Sequence, residues 1–422
     1  MKLLVVGGGG REHAIIKKLK ENSGVETIYA LPGNGGIAAD AICVSEIGAK
    51  DIDKIVAFAK ENAIDFAVVA PDDPLALGCV DRLHEVGIPC FGPDAKAARI
   101  EASKVFSKNL MKKYGIPTAS YEVFNDAAKA LEYLKEASFP IVIKADGLAL
   151  GKGVLIPQSY EEAEEAVKTI MEDKAFGDSG NEIVIEEFLT GPEVSVLAFT
   201  DGTAIAPMVS SMDHKRAGDG DTGLNTGGMG TIAPNPCYTA EVADVCMETI
   251  FLPTLAAMRA EGCPFKGCLY FGLMITPNGP KVIEYNCRFG DPETQVVLPL
   301  LKTDLLTIMQ AVENETLAEL EVEWYDEAAA CIILASGGYP SSYEKGKVMT
   351  LPETTPANVT IYHAGDKLVD GKLVTSGGRV LGVTAKAATL ADALKDAYAA
   401  AETVSFEGKY MRHDIGHRAL AK

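Results

Sequence analysis

The stretch Lys281-Val282-Ile283-Glu284-Tyr285-Asn286-Cys287-Arg288-Phe289-Gly290-Asp291-Pro292-Glu293 decides how this chain is read. Val282 and Ile283 open it as a strand. Side chains alternate faces along a strand, so Glu284 and Asn286 project from one side, about 7 Å apart. One charged and one neutral oxygen ligand form an incomplete cage of the kind Mg²⁺ accepts, the rest of its shell coming from phosphates and water. If the strand persists, Arg288 shares that face and sets a fixed cation beside the metal. A metal, a phosphate chain and an arginine point to phosphoryl transfer. A polar strand end with a salt bridge is the plainer reading of the same residues.

The chain around this stretch has 422 residues, which suggests about three domains. Hydrophobic residues make up 47% and the net charge is −20. No basic footprint for nucleic acid is present, and the same charge argues against anionic membrane surfaces. A small anionic substrate stays open, because a pocket can be locally basic. The nine cysteines include no C-x-x-C pair. Buried thiols in a reducing cytosol are expected. The start lacks the apolar core of a signal peptide, and no apolar run is long enough to span a bilayer. A cytoplasmic protein is expected.

Residues 1 to about 100 alternate strand and helix. Strand signals lie at 3–6, 27–30, 66–70 and 88–91, with helical periodicity at 13–21, 51–61 and 74–85. This predicts an open parallel sheet covered on both faces, with ligands at the carboxyl ends of its strands. From there to about 193 the pattern is a smaller α+β unit: a helix over 102–114, strands at 141–144, 153–156, 183–188 and 194–199, and a helix over 160–171. Residues 200 to about 325 hold an irregular glycine-dense loop (213–230), a helix (239–259), and a hairpin of 267–276 with 281–286. Beyond about 327 come strands at 329–335, 358–364 and 379–384 and a helix over 390–404. The fold class expected is α/β and α+β, in several domains.

Three loops carry chemistry. In Asp146-Gly147-Leu148-Ala149-Leu150-Gly151-Lys152-Gly153, glycines let backbone N–H groups approach phosphate. The spacing is not that of a Walker A loop, and a strand follows instead of a helix. The loop therefore joins two antiparallel strands and can cover a nucleotide as a flap, with Lys144 ending the strand before it. Ile185-Glu186-Glu187-Phe188-Leu189, followed by Glu193, looks like a strand entering a hinge. Backbone groups near Phe188 and Leu189 could read an adenine edge, and Glu193 a ribose hydroxyl. Gly7-Gly8-Gly9-Gly10 opens a helix whose N–H groups suit one phosphate. The dinucleotide fingerprint is broken there, since Glu12 and His13 stand where glycine is required.

These motifs resemble the ATP-grasp ligases and, within them, the phosphoribosylamine–glycine ligase family. The resemblance spans the chain. It rests on Gly9-Gly10-Arg11-Glu12-His13-Ala14, Lys144-Ala145-Asp146-Gly147-Leu148-Ala149, Gly151-Lys152-Gly153-Val154, Asp213-His214-Lys215-Arg216, Asn225-Thr226-Gly227-Gly228-Met229-Gly230, and the run from Asn286 through Glu293 to Thr294-Gln295. It implies an N-terminal pre-ATP-grasp domain (1–100) for phosphoribosylamine. An ATP-grasp core (101–325) follows, with a flap subdomain at about 118–190, and then a small C-terminal α+β domain (326–422). The implied reaction joins glycine to 5-phosphoribosylamine in purine biosynthesis, with ATP and Mg²⁺ or Mn²⁺, through glycyl phosphate. A monomer acting on small molecules is expected.

The resemblance also implies roles for residues. Lys104 and Lys144 contact ATP phosphates, and Gly151, Lys152 and Gly153 cover them. Glu186, Glu187, Phe188, Leu189 and Glu193 hold adenosine. Glu284 and Asn286 bind the metal. Arg288 stabilises the transferring phosphoryl group, with Asp213 and Lys215 near the acyl centre. Gly8, Gly9 and Gly10, with Pro32, Gly33 and Asn34, take the ribose phosphate. Gly227, Gly228 and Asp291 line the substrate side. The chain departs from the family's usual pattern at Gly8, Asp72-Asp73, Leu150 and Leu224, and no reacting group is removed. A nicotinamide dehydrogenase would leave the flap unexplained. Another ATP-grasp ligase would leave His13 and the 213–216 and 225–230 segments unexplained. A non-catalytic nucleotide-binding module would have no need of Glu284, Asn286 and Arg288 together.

Overall fold

An apolar run makes the first sheet. Strand β1 (Lys2–Gly7) buries every residue after Lys2, as a parallel strand covered on both faces must. The computed structural model describes residues 1–149 and 151–421, so Leu150 lies outside the described residues. Strands β2 (Thr27–Pro32), β3 (Ile42–Cys43), β4 (Phe66–Val69) and β5 (Cys90–Phe91) join β1 in parallel, in the order β3-β2-β1-β4-β5. The order reverses at β1, so the carboxyl ends of β1 and β4 flank the crevice where open α/β sheets take ligands. The short β3 is absent from the sequence expectation. The helix expected over 74–85 is two, Asp72–Ala76 and Cys79–Glu85, broken at Gly78, whose φ is +84°. The helix expected over 102–114 is found as Lys104–Tyr114, and a second helix, Ala95–Ala102, precedes it where none was expected. Ser103 makes the break: its hydroxyl accepts the Phe106 N–H at 3.1 Å and caps the second helix.

Strands β6 (Tyr121–Phe124), β7 (Ile141–Ala145), β8 (Val154–Leu155) and β9 (Ile183–Glu187) form an antiparallel sheet of order β6-β9-β7-β8. Its apolar face has a core of its own, with Leu134, Ile143, Ile170 and Ile185. The glycine loop joins β7 to β8, as the flap reading requires. A buried ion triad ties this sheet to the helix Lys104–Tyr114. Glu186 of β9 pairs with Lys144 of β7 at 3.0 Å and with Lys108 of the helix at 3.2 Å, and all three are nearly inaccessible to solvent.

Strands β10 (Glu193–Asp201) and β11 (Ile205–Pro207) precede four short strands: β12 (Met212–Asp213), β13 (Arg216–Gly218), β14 (Thr222–Asn225) and β15 (Gly230–Ala233). The hairpin β16 (Lys266–Thr276) and β17 (Gly279–Asn286) completes a sheet of order β11-β10-β16-β17. The loop expected as irregular over 213–230 is therefore partly a hairpin, β13 with β14. Arg412, almost fully buried, pins it through Asp221 and the Arg216 carbonyl, both at 3.1 Å. The remaining strands are β18 (Ala328–Ala335), β19 (Val359–His363), β20 (Asp366–Val369), β21 (Lys372–Thr375) and β22 (Arg379–Ala387). One sheet, β12-β15-β18-β22-β19, combines early and late segments. No helix among the described residues is long and apolar enough to cross a membrane.

Two side chains join the start of the chain to its end. His13 accepts the His363 N–H on Nδ1 at 2.8 Å and meets Asp40 through Nε2 at 2.8 Å. Burial lowers its pKa below the ordinary value, against the pull of Asp40. Asn34 donates to the carbonyls of Gly8 (2.9 Å) and His363 (2.8 Å), and its oxygen accepts from Gly36 (3.0 Å) and Ile37 (2.8 Å). Both donors and both lone pairs of the amide are used. The Asn34 side chain thus holds β2, the β1 turn and β19 together.

Replacing Asn34 with Ala should destabilise the protein by about 2–4 kcal/mol, because several net bonds of about 1 kcal/mol vanish and their partners stay buried. Urea denaturation checks this, and a midpoint equal to wild type would refute it. Replacing Lys108 with Met leaves Glu186 with one cation in a buried site, and the loss should approach about 3–5 kcal/mol. The same measurement decides. A loss under about 1 kcal/mol would place the triad among weak surface pairs.

Candidate active site

The metal candidates end β17. A register slip sets Gly272 opposite Glu284 and Leu273 opposite Val282, so Ile283 is an extra residue in the ladder. Such a bulge re-aims the residues that follow it. The strand stops at Asn286. Arg288 therefore does not share the strand face by alternation. A carboxylate absent from the sequence reading places it instead. Glu101, in the last turn of the helix Ala95–Ala102, ion-pairs with Arg288 at 3.0 Å through Oε1 and accepts the Cys287 N–H at 2.7 Å through Oε2. Turned so that its nitrogen donates, the Asn286 amide reaches the same Glu101 Oε1 at 3.1 Å and the Tyr285 carbonyl at 3.2 Å. That orientation gives the amide nitrogen two acceptors and leaves its oxygen for a cation. Burial raises the Glu101 carboxyl above its ordinary value, and Arg288 opposes the rise.

Arg288 is mostly buried, and its Nε has no hydrogen-bond partner among the described residues. Lys104 opens its helix and donates to the Gly147 carbonyl of the flap at 2.8 Å. Burial lowers its pKa; Glu284 opposes this and Lys144 adds to it. Lys144 donates to the Ile283 carbonyl at 3.2 Å. The two lysines, Glu284 and Arg288 thus converge on one region from three separate segments, the helix Lys104–Tyr114, β7 and the end of β17. Among the described residues no group of three or more His, Cys, Asp or Glu side chains could cage a metal. Glu284 and Asn286 offer two hard oxygens, which suits a divalent cation completed by phosphate oxygens and water.

A cleft beside Glu284 is lined by Glu193, Ser195, Asp213, Lys215 and Tyr270. Lys215 meets Asp213 at 2.6 Å. Burial opposes its charge, but Asp213, with Tyr270 and Glu293, holds its pKa well above the ordinary value. Tyr270 donates to Glu293 at 2.9 Å and shares a hydrogen bond with Ser195 at 2.8 Å. Burial raises the Glu293 carboxyl, and Asp213 raises it further. Glu193 keeps an exposed edge. Enclosure lifts its carboxyl above the ordinary value; Lys215 opposes the lift, and Glu284 and Asp213 add to it. Gly228 backs this cleft with φ +125°, and a Cβ there would lie 2.6 Å from Asp213 Oδ1 and 2.5 Å from Pro292.

The remaining candidates divide. Gly151, Lys152 and Gly153 occupy the turn between β7 and β8. Phe188 is exposed and Leu189 half-buried just past β9. Glu187 accepts the Ser120 N–H at 3.0 Å, which holds its carboxyl below the ordinary value. The Glu186 carboxylate faces Lys108 and Lys144, and its side chain ties the flap sheet to the helix Lys104–Tyr114. Gly33 packs beside Gly8, its N–H bonded to the Gly7 carbonyl at 3.2 Å, and Pro32 ends β2. At the glycine turn, Gly9 N–H is taken by Glu12 at 2.9 Å and Arg11 N–H by Asp291 at 3.3 Å. Any phosphate there is left with the amides of Gly8 and Gly10. Asp291 also accepts from Gln295 at 2.8 Å and pairs with Arg379 at 3.6 Å. Burial would raise its carboxyl, yet Arg379 and Arg11 hold it below the ordinary value. In the fold it joins segments far apart in the chain. Gly227 lies against Arg379, where a Cβ would come within 2.8 Å of the guanidinium carbon.

Glu101, Lys108 and Glu293 escape a reading of the sequence. One signal was present for Glu101: it lies three and four residues after Ala98 and Ala97, on the apolar face of its helix. A carboxylate on such a face needs a partner.

Comparison with known proteins agrees with this geometry. The phosphoribosylglycinamide synthetase N domain matches residues 1–101, its ATP-grasp (A) domain 102–294 and its C domain 329–418. A phosphoribosylamine–glycine ligase of Caldanaerobacter subterraneus is 49% identical over 98% of this chain and 99% of its own length. The crystal structure of phosphoribosylamine–glycine ligase from Thermotoga maritima covers 98% of this chain and 100% of its own, with 37% identity and a TM-score of 0.85. A biotin carboxylase from Campylobacter jejuni, 14% identical with a TM-score of 0.76 over 97% of this chain and 92% of its own, shares the fold. With all three domains matched in order, the chain belongs to the phosphoribosylglycinamide synthetase family of ATP-grasp ligases.

Proposed function

We propose that the chain joins glycine to 5-phosphoribosylamine at the expense of ATP, giving glycinamide ribonucleotide, ADP and phosphate, as a cytosolic monomer. The observation that carries this reading is the grouping of Glu284, Asn286 and Arg288 at the end of β17, with one buried Arg288 N–H left without a partner among the described residues. Glu284 and the Asn286 oxygen would hold Mg²⁺ or Mn²⁺, which neutralises phosphate charge when bound. Lys104 and Lys144 orient the phosphates, and the turn at Gly151, Lys152 and Gly153 excludes water above them. The edge at Glu187, Phe188 and Leu189 takes adenine through its backbone, and Glu193 takes the ribose.

Glycine's carboxylate oxygen attacks the γ-phosphorus while the bond to the ADP oxygen breaks, giving glycyl phosphate. Such transfer depends mostly on positioning and electrostatics, and Arg288 supplies a fixed cation for the charge that develops. The ribosylamine nitrogen then attacks the acyl carbon, phosphate leaves, and the nitrogen sheds a proton. Lys215 and Asp213 stand beside that centre; their ion pair stabilises the tetrahedral oxyanion through Lys215. The turn at Gly8, Gly9 and Gly10, with Pro32 and Gly33, holds the ribose phosphate at the carboxyl ends of β1 and β2. Gly227 and Gly228 admit the substrate closely because they carry no side chain.

Phosphate release tests the reading. With ATP, Mg²⁺, glycine and freshly made phosphoribosylamine all present, turnover is expected, and omitting any one should abolish it. ATP hydrolysis indifferent to glycine would overturn it. Arg288→Ala should lower kcat by about 10²–10³-fold, the usual loss for one donor aimed at developing charge. A kcat near wild type would remove Arg288 from the mechanism.

A further inference from the structure

We infer that Glu101 is a positioning residue: one buried carboxylate that fixes the metal-side amide of Asn286 and the phosphoryl-side guanidinium of Arg288 relative to each other. The inference rests on the roles proposed above for those two residues. Both contacts fall on Oε1, at 3.1 Å to the Asn286 nitrogen and 3.0 Å to Arg288, while Oε2 takes the Cys287 N–H between them at 2.7 Å. Three consecutive residues at the end of a strand are thus gripped by a single side chain. Without it, chain alternation ends at Asn286 and nothing in β17 sets where Arg288 lies.

The carboxylate is itself rigidly mounted. Its helix, Ala95–Ala102, is capped by Asp94 on the Ala97 N–H at 2.8 Å, and Asp81 accepts the Ala95 N–H at 2.9 Å. Ala97, Ala98 and Ile100 are buried in the core beneath. Three residues on, the same joint delivers Lys104, whose ammonium reaches the flap at Gly147. Glu101 therefore refers the metal ligand, the arginine and one ATP lysine to a single frame. Its Arg288 pairing also uses the guanidinium selectively. NH2 goes to Glu101 and NH1 to the Phe289 carbonyl at 3.5 Å, while Nε has no partner among the described residues. A neutral amide at this position would keep the shape and lose the charge that draws both donors to one oxygen.

The test is Glu101→Gln in the full-length protein, read four ways. Residues that orient metal ligands from behind typically change affinity or activity by about 10–100-fold. On that scale kcat should fall about 10–100-fold, and Mn²⁺ binding in the presence of ADP, followed by electron paramagnetic resonance of the free ion, should weaken about 10-fold. ADP binding without metal should be unchanged, while some fall in melting temperature is expected because Arg288 loses its carboxylate. In an Arg288→Ala background the same substitution should lower kcat little further, because residues that act as a unit are non-additive. A kcat and Mn²⁺ affinity equal to wild type would overturn the inference while leaving the ligase reading intact. Losses that multiply with those of Arg288→Ala would also overturn it. An Arg288→Ala enzyme with full activity would instead overturn the reading beneath it. If Glu101→Gln yields no folded protein, Glu101→Asp takes its place, because it keeps the charge one methylene short of its partners. The same losses in kcat and Mn²⁺ affinity are then expected, and wild-type values would overturn the inference as before.

Discussion

Several cations must stand close together in a chain whose net charge is −20, and each needs a carboxylate to remain charged where water is scarce. Burial alone disfavours an ammonium, and like charges nearby disfavour it further. The fold answers with carboxylates, drawn from other elements for Arg288, Lys144 and Lys108 and from two residues upstream for Lys215. Arg288 has Glu101, Lys144 and Lys108 share Glu186, and Lys215 has Asp213. Lys104 differs, since its close partner is the Gly147 carbonyl and not a carboxylate. It is the cation with the most to gain from an anionic phosphate, and burial already lowers its pKa. The site therefore exists only once the helix before Lys104, the flap sheet and the β16–β17 hairpin have met. No one of these elements carries both halves of every pair.

The same dependence runs between the ends of the chain. His13 and Asn34 bond to β19, Asp291 bonds to the helix after the glycine turn, and His214 accepts the Gly416 N–H at 3.1 Å. Several residues in the family-like motifs thus act as joints. Their substitution would misplace the substrate surfaces without removing a reacting group. Asn34 and Asp291, expected as ligands from the sequence, make joints of this kind in the structure.

Local periodicity made much of the fold legible. The βα alternation, the flap loop between antiparallel strands and the hairpin ending in Glu284 and Asn286 all follow from patterns a few residues long. Short, partly polar strands such as β3, β13 with β14 and β20 with β21 carry too few alternations to announce themselves. The helix expected over 74–85 divides where a glycine intervenes, at Gly78. In the site, the placing of Glu284 and Asn286 on one strand was legible because they lie two residues apart. Glu101 was not, because its contact with Cys287 spans 186 residues. The ion pairs of Glu186 were hidden for a related reason. Seen locally it is an acidic strand end, and only the helix carrying Lys108 completes its partners.

The joint between flap and core follows the same polar logic. The flap sheet closes its own apolar core, so the contacts across the joint are largely hydrogen bonds and ion pairs. Asp146 accepts the Val105 N–H at 3.1 Å, Lys104 reaches Gly147 at 2.8 Å, Thr118 donates to the Val282 carbonyl at 2.7 Å, and Glu187 meets Lys281 at 3.5 Å. Polar contacts of this kind can be exchanged for water or phosphate oxygens with little exposure of apolar surface. An apolar joint would lose about 25 cal/mol for every Å² opened. The triad of Lys108, Glu186 and Lys144 is the exception, being buried and costly to break. It lies where the flap sheet meets the helix Lys104–Tyr114, and the glycine turn leaves β7 from that same end, just past Lys144. The joint thus anchors the flap sheet at the root of the glycine turn.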